Sequence, residues 1–176
     1  MKERAALTLL ILSVVLLLAT PIVRAVDNDD DEAKDQSAVT KALPQAKVSL
    51  DQALASSERE GKPISAKFEV EDGKLQLSVY TMKGDRFSEV VVDHLTGKVL
   101  KAEAITGGED LASAKSQSEA MAKAKKPLRA AVGEALKANK GYRAVSVFPE
   151  LEDGHPVADI TLAKGEELKK VEEKLE

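Results

Sequence analysis

From Pro63 onward the apolar residues fall on every second position: Ile64, Ala66, Phe68 and Val70 alternate with Ser65, Lys67, Glu69 and Glu71. A period of two marks a strand with one buried face. Asp72-Gly73 supplies a hairpin turn, and Leu75, Leu77 and Val79 carry the apolar face onto a second strand. Lys83-Gly84-Asp85 then turns the chain into the β-branched run Phe87 to Val92. Thr96-Gly97 makes a third turn, before a candidate edge strand from Val99 to Ala104. Upstream the period is that of a helix. Ser49 and Gln52 have the spacing of a capping box, Leu50, Ala53, Leu54 and Ser57 share one face, and Gly61 provides the stop. A helix followed by an antiparallel meander predicts an α+β unit in which the helix covers one face of the sheet.

The pattern returns 81 residues later without a gap. Ser65 to Gly73 falls on Ser146 to Gly154, Lys83-Gly84-Asp85 on Lys164-Gly165-Glu166, and Leu77, Val79 and Phe87 on Ala158, Ile160 and Leu168. A shared register of turns and inward residues predicts one structural unit used twice. In the second copy Pro127 opens a helix with Leu128, Ala131, Val132, Ala135 and Leu136 on its buried face. Val145, Val147 and Leu151 point inward on its first strand, with Pro149 suiting an edge or a bulge. Residues 166–176 read either as a third strand or as a charged terminal helix, and the repeat register favours the strand. Between the copies, Glu109 to Lys126 is rich in Ala, Lys, Ser and Glu, and predicts a linker helix that packs lightly on a sheet.

The ends set the compartment. Lys2 and Arg4 precede the uncharged run Ala5 to Ala19, Pro21 breaks it, and Val23-Arg24-Ala25 offers small residues for cleavage. This is the layout of a secretory signal peptide cleaved after Ala25, so a periplasmic or secreted protein is expected; an uncleaved anchor is the alternative. Removing residues 1–25 takes Lys2, Arg4, Arg24 and Glu3, and leaves 23 basic against 29 acidic residues, a net −6. That balance argues against nucleic acid or anionic lipid as partner, both of which need clustered Lys and Arg. With no Cys, the exported chain must be held by its core. Residues 26–46 read as an acidic flexible tail. Asp27, Asp29 and Asp31 have the spacing of a calcium loop, but Glu32 stands where Gly is required and Ala38 where the bidentate Glu belongs.

Catalytic chemistry finds no footing. His94 and His155 lie in separate turns without metal-ligand spacing, and no Ser sits in a nucleophile elbow. The expectation is a non-enzymatic protein with no catalytic residue, no cofactor and no metal. The outward strand faces offer more: Lys67, Glu69, Gln76, Ser78 and Tyr80 in the first copy, and Ala144, Ser146, Phe148, Val157, Asp159 and Thr161 in the second. Tyr80, Phe148 and Val157 are apolar or amphipathic where solvent is expected. Either they pack beneath another part of the chain, or with Lys67 and Gln76 they form a partner-binding face. A peptide adding to the Val99 to Ala104 edge is a further route.

One family resemblance rests on these residues. The capped helix with Ala53-Leu54, Gly61, the alternating strand, Asp72-Gly73, and above all Val92-Asp93-His94-Leu95-Thr96-Gly97-Lys98-Val99 resemble a PepSY domain. The stretch Leu128 to Leu175, with Gly-Tyr-Arg-Ala-Val-Ser-Val at Gly141 to Val147, resembles a diverged second unit without the Thr-Gly-Lys turn. The resemblance implies two PepSY-like units, each a helix on a meander of three to four strands. The units span 47–106 and 127–176, joined by the linker at 107–126. The tandem arrangement is similar to that of the β-lactamase-inhibitor protein. It implies a protein partner, a peptidase foremost, that is bound, inhibited or regulated without chemistry. A module of the periplasm that binds a small molecule or metal ion is the alternative.

Overall fold

A computed structural model describes residues 28–176. The targeting segment lies outside the described residues, and so do the side chains in the acidic stretch 27–33, including its calcium-like spacing. The chain forms α1 (Asn28–Ala42), a 3-10 turn (Leu43–Gln45) and α2 (Leu50–Ser57). Four strands follow, β1 (Lys62–Glu71), β2 (Lys74–Lys83), β3 (Arg86–Val92) and β4 (Val99–Ile105). Then come α3 (Gly108–Lys123), α4 (Leu128–Ala138), β5 (Arg143–Glu152), β6 (His155–Lys164) and β7 (Glu167–Lys174).

The seven strands make one antiparallel sheet in the order β4-β3-β2-β1-β5-β6-β7. The two meanders are therefore not separate sheets. They join edge to edge through Ala66–Val147 and Lys67–Ser146 on β1 and β5. The limits of β1 and β2, the hairpins and the strand register recur in β5, β6 and β7 at the offset read from the sequence. Asp72 and Gly73 (φ 50° and 74°) have their counterparts in Asp153 and Gly154 (φ 49° and 84°), the two consecutive left-handed residues of a type I′ hairpin. Each first strand is also bulged at the same place, at Ile64 and at Val145. The bulge corrects strict alternation, because it sets Ala144 opposite Leu162 on the core face rather than outward. Leu151 departs as well. It is 37 % exposed, while Pro149 is buried, because Leu151 lies at the end of β5 next to the exposed Asp153-Gly154 turn.

Helices α2 and α4 lie side by side on the core face, α2 against β1 to β3 and α4 against β5 to β7. One continuous core results, with Leu50, Leu54, Ile64, Leu77 and Val79 in the same cluster as Val132, Val147, Ile160, Leu162 and Leu175. Arg129 on α4 reaches Asp51 on α2 at 3.0 Å. The capping box of α2 forms as its sequence requires: Gln52 N donates to Ser49 Oγ (3.2 Å) and Ser49 N to Gln52 Oε1 (2.8 Å).

The segment expected as a tail is helical, and its end is anchored. Val39 near the end of α1 and Leu43 in the 3-10 turn that follows are both buried. The Arg143 guanidinium donates to Leu43 O (2.9 Å) and Ala46 O (3.1 Å). The strand reading of the C-terminus holds: β7 pairs with β6, and Leu175 is fully buried, its carbonyl accepting from Lys125 N and Lys126 N.

Candidate protein-binding face

The face opposite α2 and α4 is shared between α3 and solvent. α3 starts after β4 and crosses the sheet. Asp110 in its first turn bears electrostatically on Tyr80 of β2, Gln117 Oε1 accepts from the Ser65 hydroxyl of β1 (2.6 Å), and Lys123 Nζ donates to Gly154 O in the β5–β6 turn (3.3 Å). The linker helix thus packs more closely than its thin apolar face predicts, burying Ala114, Ala120 and Met121. Its cost to the candidate site is Val157. Opposite Glu150 on the outward face of β6, Val157 is only 3 % exposed, and α3 runs over β6 on that side. Val157 is a packing residue.

The remaining outward face is organised around a row of polar side chains. Lys67 Nζ pairs with Glu69 Oε2 at 2.6 Å and lies 5.9 Å from the centre of the Tyr80 ring. Ser78 Oγ sits 2.7 Å from both Glu69 Oε1 and Glu89 Oε1. The Gln76 amide Nε2 points at the same two oxygens from 3.4 Å. A hydroxyl carries one proton, so Ser78 can donate to only one carboxylate at a time, and both acceptors keep lone pairs for another donor. Burial pushes the Tyr80 phenol up to about 12; Lys67 opposes this, while Glu89, Glu69 and Asp110 reinforce it. Burial pulls the Lys67 ammonium down, but its hydrogen bond to Glu69 and the nearby Tyr80 outweigh that, and its net shift is upward.

Beyond their two shared pairs β1 and β5 splay apart, and a cleft of about 620 Å³ opens beside Lys67, Glu69, Ser146, Phe148, Asp159 and Thr161. Val39 of α1 contributes to its wall. The structure therefore brings Lys67, Gln76 and Tyr80 together, seats Phe148 in the same cleft as Lys67, and removes Val157 from the set. Glu89 was missed. It sits opposite Tyr80 only through the β2–β3 register, and that pairing was the one signal that could have found it.

The turn after β3 is a latch rather than a site. Asp93 Oδ1 accepts from Leu95 N (2.8 Å), Oδ2 accepts from Thr96 Oγ1 (2.7 Å), and Gly97 takes φ 75°. These hydrogen bonds from Leu95 and Thr96 hold the Asp93 carboxyl below the usual carboxylate range. His94 O accepts from Lys47 N and Val48 N, which ties the lead into α2 to the sheet. The histidines stay apart: His94 lines a cavity of about 510 Å³ at the β2–β3 end, and His155 Nδ1 lies 2.7 Å from Glu176 Oε1. Among the described residues no three His, Asp or Glu side chains converge as metal ligands would.

Residues 47–103 match the PepSY family, described as peptidase propeptide and YPEB domain. The match runs from the lead into α2 through Glu103 on β4, and this part of the chain is a PepSY domain. Comparison with curated proteins and with solved structures gave no match. PepSY domains are associated with peptidase propeptides and with inhibitor-like regulation.

Proposed function

With residues 47–103 a PepSY domain, we propose that this chain is an exported, non-enzymatic protein built of two PepSY-like units. Its function is to bind a peptidase or another extracytoplasmic protein and so to regulate or inhibit it. The carrying observation is the open part of the outward face. There Lys67, Glu69 and Gln76 are held by an ion pair and hydrogen bonds, Tyr80 lies under the Lys67 ammonium, and the group runs into the cleft holding Phe148. A preorganised surface loses little side-chain entropy on docking, and aromatic anchors beside a fixed ion pair suit a protein partner. Binding is by occlusion, with no group transferred. The second unit extends this surface and contributes Phe148.

The test is capture from a periplasmic extract with the mature protein, in parallel with titration against a thermolysin-like metallopeptidase. Tyr80→Ala and Phe148→Ala should each lose at least about tenfold in partner recovery, whereas Val157→Thr should not. Equal recovery by wild type and both alanine variants sinks the site. An intact mass that retains residues 1–25 sinks cleavage after Ala25 and leaves the uncleaved anchor.

A further inference from the structure

The sheet has two open edges, and they differ in chemistry. β7 carries six charged residues in eight, and several are engaged: Glu167 Oε1 accepts from the Tyr142 hydroxyl (2.6 Å) and Lys169 Nζ donates to Asn139 Oδ1 (2.7 Å). Dense charge of this kind guards an edge against pairing. β4 carries two charged residues in seven, Lys101 and Glu103, with Leu100 65 % exposed and Leu95 in the preceding turn 49 % exposed. A bulge at Leu100 separates Val99 from the rest, but Lys101 to Ile105 pair regularly with β3.

We propose that β4 pairs antiparallel with β4 of a second copy of this chain, about a two-fold axis through Ala102, to make a continuous fourteen-stranded sheet. The register follows from charge. Two-fold symmetry normal to a sheet requires residues of equal parity to face each other across an isologous contact. Centred on Ala102, Lys101 of each copy faces Glu103 of the other, and the exposed Leu100 lies beside Ala104 of the second copy. Centred on Lys101, the strands set lysine against lysine; centred on Glu103, glutamate against glutamate. Only one register is attractive, and like charges directly opposite are destabilising. Within one copy Glu103 already faces Glu89 on β3, and its ion-pair partner there is Lys101 of its own strand, at 3.1 Å. A lysine from a second copy would put a cation on its open side. The inference is independent of the peptidase reading, because it uses the edge and leaves the Tyr80 face free.

The experiment uses sedimentation equilibrium and a charge swap on the intact chain. Wild type should sediment at twice its monomer mass at the highest soluble concentration. Lys101→Glu and Glu103→Lys should each be monomeric with unchanged circular dichroism. Mixed one to one, the two variants should regain the dimer. The reversed side chain of each copy then faces the reversed side chain of the other with opposite sign, and the remaining Glu103 of one copy faces the remaining Lys101 of the other. The chain has no cysteine, so Ala102→Cys reports the axis directly: residues facing each other there lie within disulfide reach. Mild oxidation should link Ala102→Cys almost completely and leave Leu151→Cys unlinked. A monomeric wild type, a dimer that survives both single reversals, or a mixture that stays monomeric overturns the proposal.

Discussion

Ser78 lies between two carboxylates with a single proton to share, and Tyr80 beside it is a phenol held neutral by burial and by those same acids. This has a measurable consequence for pH. Below pH 10 the phenol is neutral in both folded and unfolded chains. Between 10 and about 12 the unfolded chain releases a proton that the fold retains, so the fold binds more protons and stability falls as pH rises. Denaturant midpoints should decline across that window, and the decline should be shallower in Tyr80→Phe. An unchanged slope in that variant would show that Tyr80 titrates normally. Much of this residue pattern was legible in the sequence, since alternation alone put Lys67, Glu69, Gln76, Ser78 and Tyr80 on one face. Alternation assigns faces, however, and says nothing about what covers them, so Val157, which is buried, reads the same as the part-exposed Phe148.

At the scale of elements, two glycines that look alike in sequence behave in opposite ways. Gly61 reads as a helix stop, yet its backbone is not left-handed; a Cβ there would lie 2.8 Å from Met82 O and 3.0 Å from Met82 C. The hydrogen is needed because β2 passes against the start of β1. Gly61→Ala should therefore destabilise by about 1–3 kcal/mol through overpacking of backbone that cannot yield. Gly133, inside α4, has open space where a Cβ would go, and Gly133→Ala should stabilise by about 0.5–1 kcal/mol. Chemical denaturation of the two variants checks both signs. The hairpins and the α2 cap were legible because each depends on contacts only two or three residues apart. The bulges at Ile64 and Val145 were not, since an extra residue in one strand is defined only by its partner. α1 was hidden for another reason: its acidic front outweighs, in composition, the two residues Val39 and Leu43 that hold its end.

For the whole molecule, the narrow β1–β5 seam raises the question of whether the halves melt separately. Two residue pairs between β1 and β5 would not couple them, but α2 and α4 touch, Arg129 bridges to Asp51, and one core runs from Leu50 to Leu175. The chain has two tyrosines and no tryptophan, with Tyr80 in one half and Tyr142 in the other. Single-tyrosine variants, Tyr142→Phe and Tyr80→Phe, should give coincident fluorescence transitions in urea, as a single cooperative unit requires. Separated midpoints would mean two domains. That the repeats share a sheet was not legible, since a repeated pattern is equally compatible with two sheets or one; the decision rests on which edge is left free at β1. That choice makes α3 a measuring rod. The chain leaves the first meander at β4 and must re-enter beside β1, four strand spacings away, roughly 19 Å at the usual separation. α3 has 16 residues and is about 24 Å long. Loss of a single turn would bring it to about the bare width of the crossing, and since α4 (Leu128–Ala138) still has to follow before β5, the length of α3 sets how far along the sheet the chain has travelled when the second unit begins.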